Sequence, residues 1–272
     1  MENALLTVFR LSLFETFCVT GSLILIGVIL GIIESRADFY VQRVFGWKGI
    51  MFTAWIGTPI HELGHLLMCY VFRHRISKFK LFDHKAKDGI LGYVNHGWNQ
   101  KSLYQNIGNF FIGMGPIFSG TAALVIGMYL FLPGSFDTFA NYLTLEPAQP
   151  DRYMLTEIFA LTADLFESIF SAENITSVNF WIYFALAIGI SSHIALSRED
   201  LKGAGRGLVT IFFFLLLVNV VALILNADFS EFFTGILALN VYLLAFSMIS
   251  IVFSSIRLVL SAFAYYLGNR YS

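Results

Sequence analysis

The sequence predicts an all-α polytopic membrane protein: one integral-membrane domain of about six transmembrane helices, with a small cytoplasmic β-hairpin and an amphipathic surface helix. Composition is the first observation behind this. Of 272 residues, 57% are hydrophobic and 13% charged, where a soluble domain holds roughly 25% charged residues. The second is distribution. The apolar residues fall in long runs, several near the ~20 residues that a crossing of the bilayer requires. The third is charge. A net charge of −1 and a pI near 6.6 exclude a nucleic-acid-binding class.

The first run, 11–33, follows Arg10 without a small-residue cleavage site, so it reads as a retained helix rather than a removed leader. Runs at 50–72, 107–132, 177–197, 206–226 and 232–256 supply the other spans. The apolar stretch 257–267 continues the last helix past Arg257. Orientation follows from Lys and Arg. Segment 73–106 carries Arg73, Arg75, Lys78, Lys80, Lys85, Lys87 and Lys101, and is expected on the cytoplasmic side. Segment 133–176 sets Arg152 among acidic residues such as Asp151, Glu157 and Asp164, and is expected outside, as are Asp228 and Glu231. Arg198, Lys202 and Arg206 put the turn before the fifth span inside. Both termini are then cytoplasmic, in a bacterial cell membrane, although Arg36, Arg43 and Lys48 oppose an outer turn at 34–49.

Residues 76–82 alternate apolar and polar, the period of a half-buried strand. Lys87-Asp88-Gly89 reads as a turn and 90–94 as a second strand, which makes the hairpin. Residues 152–171 set Leu155, Ile158, Phe159, Leu165, Phe166 and Ile169 on one helical face, a helix expected to lie on the outer membrane surface. Asn174-Ile175-Thr176 matches a glycosylation sequon by chance, since it abuts a span. Cys18 and Cys69 lie in apolar runs and read as reduced, buried residues without a disulfide framework. The sequence carries no signal of oligomeric state.

The second span contains His61-Glu62-Leu63-Gly64-His65. Residues four apart on a helix share a face, so the two imidazoles stand about 6 Å apart along the axis, the geometry of two zinc ligands. Glu62 follows the first, where it can take a proton from water that the metal activates. Ionisable groups inside a span cost at least ~2.5 kcal/mol each on insertion scales, and a metal supplies the partner they require. Pro59 loosens the helix just before the motif, and Gly64 lets another backbone come close. The expected chemistry is zinc-dependent hydrolysis of a peptide bond in a membrane protein or peptide within the lipid bilayer. The alternatives are a non-proteolytic zinc hydrolase and a catalytically silent zinc-bearing scaffold or transporter. A purely structural site needs no base at Glu62, so its presence favours catalysis.

The motif on a transmembrane helix, the hairpin after it, and Gly113-Met114-Gly115-Pro116 in the next span together resemble the site-2 protease family of intramembrane zinc metalloproteases. The resemblance covers about residues 50–205, without a regulatory domain. It implies that His61 and His65 hold zinc, that Glu62 is the base, and that Gly115-Pro116 is the family's Gly-Pro signature. It also implies an aspartate as third ligand, at about the position of Asp200, although Asp200 lacks the following glycine of the family pattern. The residues themselves favour His193. From Arg73 at the membrane edge, His65 lies ~12 Å and His61 ~18 Å deep, and His193 lies ~7 Å in from Arg198. Asp200 has another task available, a capping box with Ser197. Asn109 is a candidate for binding substrate, and the hairpin residues Gly92 and Tyr93 are candidates for holding an extended peptide by strand addition. His96 is expected in a loop, His74 and His84 on the cytoplasmic surface, and Glu15 near the interface beside Arg10.

Overall fold

A computed structural model describes residues 2–85, 89–144, 154–227 and 230–268. The expected turn residues Lys87 and Asp88, together with Asp151, Arg152 and Asp228, lie outside the described residues, as do the side chains of Glu157, Leu155, Ile158 and Glu231.

The first helix, α1 (Glu2–Val71), holds both of the first two expected spans. Its 70 residues would reach roughly 105 Å if straight, far beyond a bilayer. The break is Gly46, at φ 62° and ψ −158°, a conformation open to a residue without a Cβ. The two halves then line one cavity, Glu34 and Asp38 from before the break, Thr58, His61, Glu62 and His65 from after it. The basic turn expected at 34–49 is therefore helical on both sides of a single glycine rather than a loop.

The hairpin forms. Strand β1 (Arg75–Lys80) pairs antiparallel with β2 (Tyr93–Gly97), Phe79 opposite Val94 and Ile76 opposite His96, with an irregularity between Ile76 and Lys78. The second strand begins three residues later than position 90, so Ile90, Leu91 and Gly92 are not strand residues but line the cavity. His96 sits in β2, not in a loop.

Helices α2 (Leu103–Gly113) and α3 (Gly115–Phe131) replace the expected span 107–132 and are bent by 54° at Met114. Pro116 lies in the first turn of α3, where its missing N–H is no loss. The amphipathic helix expected over 152–171 is α5 (Met154–Ile169), flanked by two helices that were not expected, α4 (Pro133–Thr144) and α6 (Ala172–Ile175). Helix α5 buries Leu161, Leu165 and Ile169 in the core while Phe159 and Phe166 stay exposed, so it belongs to the bundle. Asn174 of the sequon donates to Ser135 Oγ at 3.1 Å and to the Ser168 carbonyl at 2.8 Å, which ties α6 to α4 and α5.

Helix α7 (Val178–Ser191) has 14 residues, about 21 Å, short of a ~30 Å hydrocarbon core. It ends before His193, which the expected span 177–197 included. Helices α8 (Arg198–Leu225) and α9 (Ser230–Gly268) complete the fold, and α9 does continue past Arg257. Among the described residues, α1, α8 and α9 are long and apolar enough to cross a membrane, and the bent α2–α3 pair would be a fourth. Helix α3 is central. Its Ile117, Leu124 and Met128 pack in one core with Leu23, Ile26 and Leu30 of α1, Tyr183 of α7 and Phe253 of α9.

Two glycine contacts set the position of the motif. A Cβ on Gly64 would collide with the Gly115 carbonyl, and a Cβ on Gly115 with that of Gly64, so the α1 and α3 backbones touch. Ser119 donates to the Ile60 carbonyl at 2.7 Å across the same contact. At the C-terminus of α2, a Cβ on Gly113 would meet the Asp200 carbonyl at 2.5 Å, which seats the start of α8 beside the motif.

Candidate metal centre

His61 and His65 stand one turn apart on α1, and each is oriented by a backbone carbonyl. His65 Nδ1 donates to Ile112 O at 2.7 Å, and His61 Nδ1 donates to His193 O at 2.6 Å. A carbonyl can only accept, so in both neutral rings the proton sits on Nδ1 and the lone pair on Nε2. The two Nε2 atoms are 3.1 Å apart.

Asp200 completes the group. Its Oδ1 lies 3.1 Å from His65 Nε2 and its Oδ2 3.7 Å from His61 Nε2. One donor atom from each of His61, His65 and Asp200 lies within 4.8 Å of the others, close enough together to hold a metal ion. The capping box expected at Ser197 also exists. Ser197 N donates to Asp200 Oδ2 at 2.7 Å, and Asp200 N donates to Ser197 Oγ at 3.1 Å. Capping and facing the histidines were expected to compete for Asp200; one carboxylate does both.

Of the two candidates, the structure sets the Asp200 carboxylate, not the His193 ring, within reach of both His61 and His65. His193 lies past the end of α7, and its Nε2 is 3.2 Å from Thr53 Oγ1 rather than beside the motif. It reaches the site through its carbonyl. Span four was expected to be helical to Arg198, whereas α7 stops at Ser191 and the irregular segment 192–197 brings Asp200 beside the histidines.

Glu62 is buried at 7% exposure and lines the same cavity, of about 820 Å³, within the range of ligand sites. Gly92 faces it: a Cβ there would meet Glu62 Cγ at 2.7 Å and Leu81 O at 2.9 Å. Tyr93 lines the cavity with Lys78 Nζ 5.7 Å from its ring centre. Asn109 lines it too, while its Nδ2 donates weakly to Asn106 O at 3.4 Å and Gln105 O at 3.5 Å, within its own helix.

Three features escaped the sequence reading. Arg257 of α9 is buried and pairs with Glu34 and with Asp38, both on the cavity wall. The available signal was a charge just past the end of an apolar run. Glu15, expected near the interface beside Arg10, is buried against α8. It is 5% exposed and accepts from Asn219 Nδ2 at 2.5 Å. His74, expected on the surface, is 6% exposed and pairs with His96, whereas His84 is exposed as expected. Burial holds His74 below the ordinary histidine pKa. Burial, then the neighbouring His74 and His65, push His96 down to about 4. Comparison with protein-family models, curated proteins and solved structures finds no match to this chain.

Proposed function

We propose that this chain is a zinc metalloendopeptidase that cleaves a peptide bond of a membrane protein or peptide at the bilayer, in the manner of the site-2 protease family its motifs resemble. The observation that carries the reading is the convergence of two imidazole lone pairs and a carboxylate beside a buried glutamate in one cavity. Two Nε2 lone pairs 3.1 Å apart repel unless a proton or a metal ion lies between them. Two histidines and one carboxylate form a donor set of catalytic zinc sites, and the carbonyls behind each ring provide the outer support such sites use. Zinc, when bound, supplies a Lewis acid and brings water toward ionisation near neutral pH.

The chain's own groups do the rest. Glu62, next to the first ligand, takes the proton of the attacking water and passes it to the leaving amine nitrogen. Gly92 leaves room for that side chain, and Tyr93 and Asn109 line the path of an extended peptide, for which β2 is a template by strand addition. In the membrane, α1 crosses twice about Gly46, α2–α3, α8 and α9 cross once each, and α7 together with the irregular segment 192–197 makes the sixth crossing, with both termini and the hairpin on the cytoplasmic side. The hairpin's basic residues support that orientation.

A proteomic comparison of membranes carrying wild type and Glu62→Ala tests the reading. A fragment made only by wild type is expected. Purified wild type without zinc, or with the same fragments as Glu62→Ala, would overturn it.

A further inference from the structure

The mechanism above leaves one pair of histidines unused, of which His96 lines the cavity. His74 follows the last turn of α1, His96 lies on β2, and their Nδ1 atoms are 2.9 Å apart. His74 Nε2 donates to the Gln105 carbonyl at 2.8 Å. In the neutral ring this leaves a lone pair on His74 Nδ1, so the proton between the rings belongs to His96 Nδ1. His96 Nε2 is then bare. Both rings are held below the ordinary histidine pKa, so both are neutral near pH 7.

The pair is braced. Trp98 stacks on His74 at 5.9 Å with 15° between planes, and its indole N–H donates to Asn106 Oδ1 at 3.1 Å. His74 is buried, but His96 lines the cavity with Glu62, His65 and Asp200. No hydrogen-bond partner for His96 Nε2 exists among the described residues. A protein that fixes one tautomer through a buried second ring, and turns the bare nitrogen into a substrate cavity, has built an acceptor. The donors that a peptide backbone brings to such a place are its N–H groups.

We propose that His96 contacts the substrate, its Nε2 accepting a hydrogen bond from one backbone N–H of the bound peptide, with His74 as the positioning residue that fixes its tautomer. The assignment rests on the metalloprotease reading and adds a specificity to it. One position of the substrate must carry a free N–H, so proline is rejected there.

The test uses the zinc-loaded full chain in detergent micelles and an acetyl-trileucyl hydroxamate, with each backbone amide N-methylated in turn. N-methylation at one position is expected to weaken binding about three- to tenfold in wild type, the size of one hydrogen bond. The same loss is expected in His96→Gln, whose amide can donate to His74 and accept from the peptide. In His96→Phe the unmethylated probe should bind three- to tenfold more weakly, and methylation at that position should matter no further. Nitrogen-15 NMR of the histidines gives a readout independent of metal: His74 protonated on Nε2, His96 on Nδ1. A proton on His96 Nε2 at pH 7.5, or a methylation profile unchanged by His96→Phe, overturns the assignment alone. A hydroxamate that fails to bind wild type overturns the metalloprotease reading and the assignment with it.

Discussion

The carboxylate of Asp200 meets His65 with one oxygen and caps its own helix with the other: Oδ1 is 3.1 Å from His65 Nε2, and Oδ2 accepts from Ser197 N at 2.7 Å. The cap fixes the rotamer, so the aspartate is held in place before any ion arrives. That is the preorganisation an outer shell gives to a metal ligand. It also makes a sharp expectation. Asp200→Ala and His61→Ala should lose bound zinc, His193→Ala should keep most of it, and Glu62→Gln should keep all of it while activity falls at least ~100-fold. Zinc content and peptide cleavage of the four purified variants check this together.

Thr53 acts at one remove. Its Oγ1 lies 3.2 Å from His193 Nε2, and the His193 carbonyl accepts from His61 Nδ1. Thr53→Val frees the segment that presents this carbonyl. Zinc affinity is expected to fall on the order of tenfold, the lower end for losing an outer-shell contact. Competition with a chelator of known affinity measures it, and an unchanged affinity would remove Thr53 from the site.

Gly64 and Gly115 meet backbone to backbone, so any side chain at either forces α1 from α3. Gly64→Ala should destabilise the fold by about 1–3 kcal/mol, as overpacking does, and should shift the motif relative to Ile112. Thermal unfolding in detergent gives the first quantity, and zinc affinity the second.

Arg257 pairs with Glu34 and Asp38, and the Arg257 and Glu34 side chains are 5% and 4% exposed. Arg257→Ala leaves Glu34 buried without its cation, and a loss of about 3–5 kcal/mol is expected. Replacing Glu34 by Gln in the same chain should recover much of it. If the double variant unfolds no later than the single one, the pairing does not carry that stability.

His96 titrates from 6.5 in the unfolded chain to about 4 in the folded one, with burial as the main cause. The folded form therefore resists a proton that the unfolded form accepts. Stability from this group is fully present above pH 6.5 and is lost as pH falls through about 4. His74 shifts the same way, held down by burial. The melting temperature of wild type should fall between pH 7 and pH 5 by more than that of His96→Gln.

The sequence by itself determined the helical membrane class, because runs of apolar residues long enough for a bilayer have no other stable environment. It also determined the face shared by His61 and His65, because a period of 3.6 residues is local. The hairpin was legible in outline for the same reason. What only the tertiary structure decided was everything set by contacts distant in sequence. Which of His193 and Asp200 faces the histidine pair turned on where α7 stops and how the segment 192–197 bends, and spacing cannot encode that. Gly46 folds one 70-residue helix so that Glu34 and Glu62 line a single cavity. The partners of Arg257, Glu15 and His74 lie far along the chain or across the hairpin. A buried charge announces that it has a partner, but only packing names it.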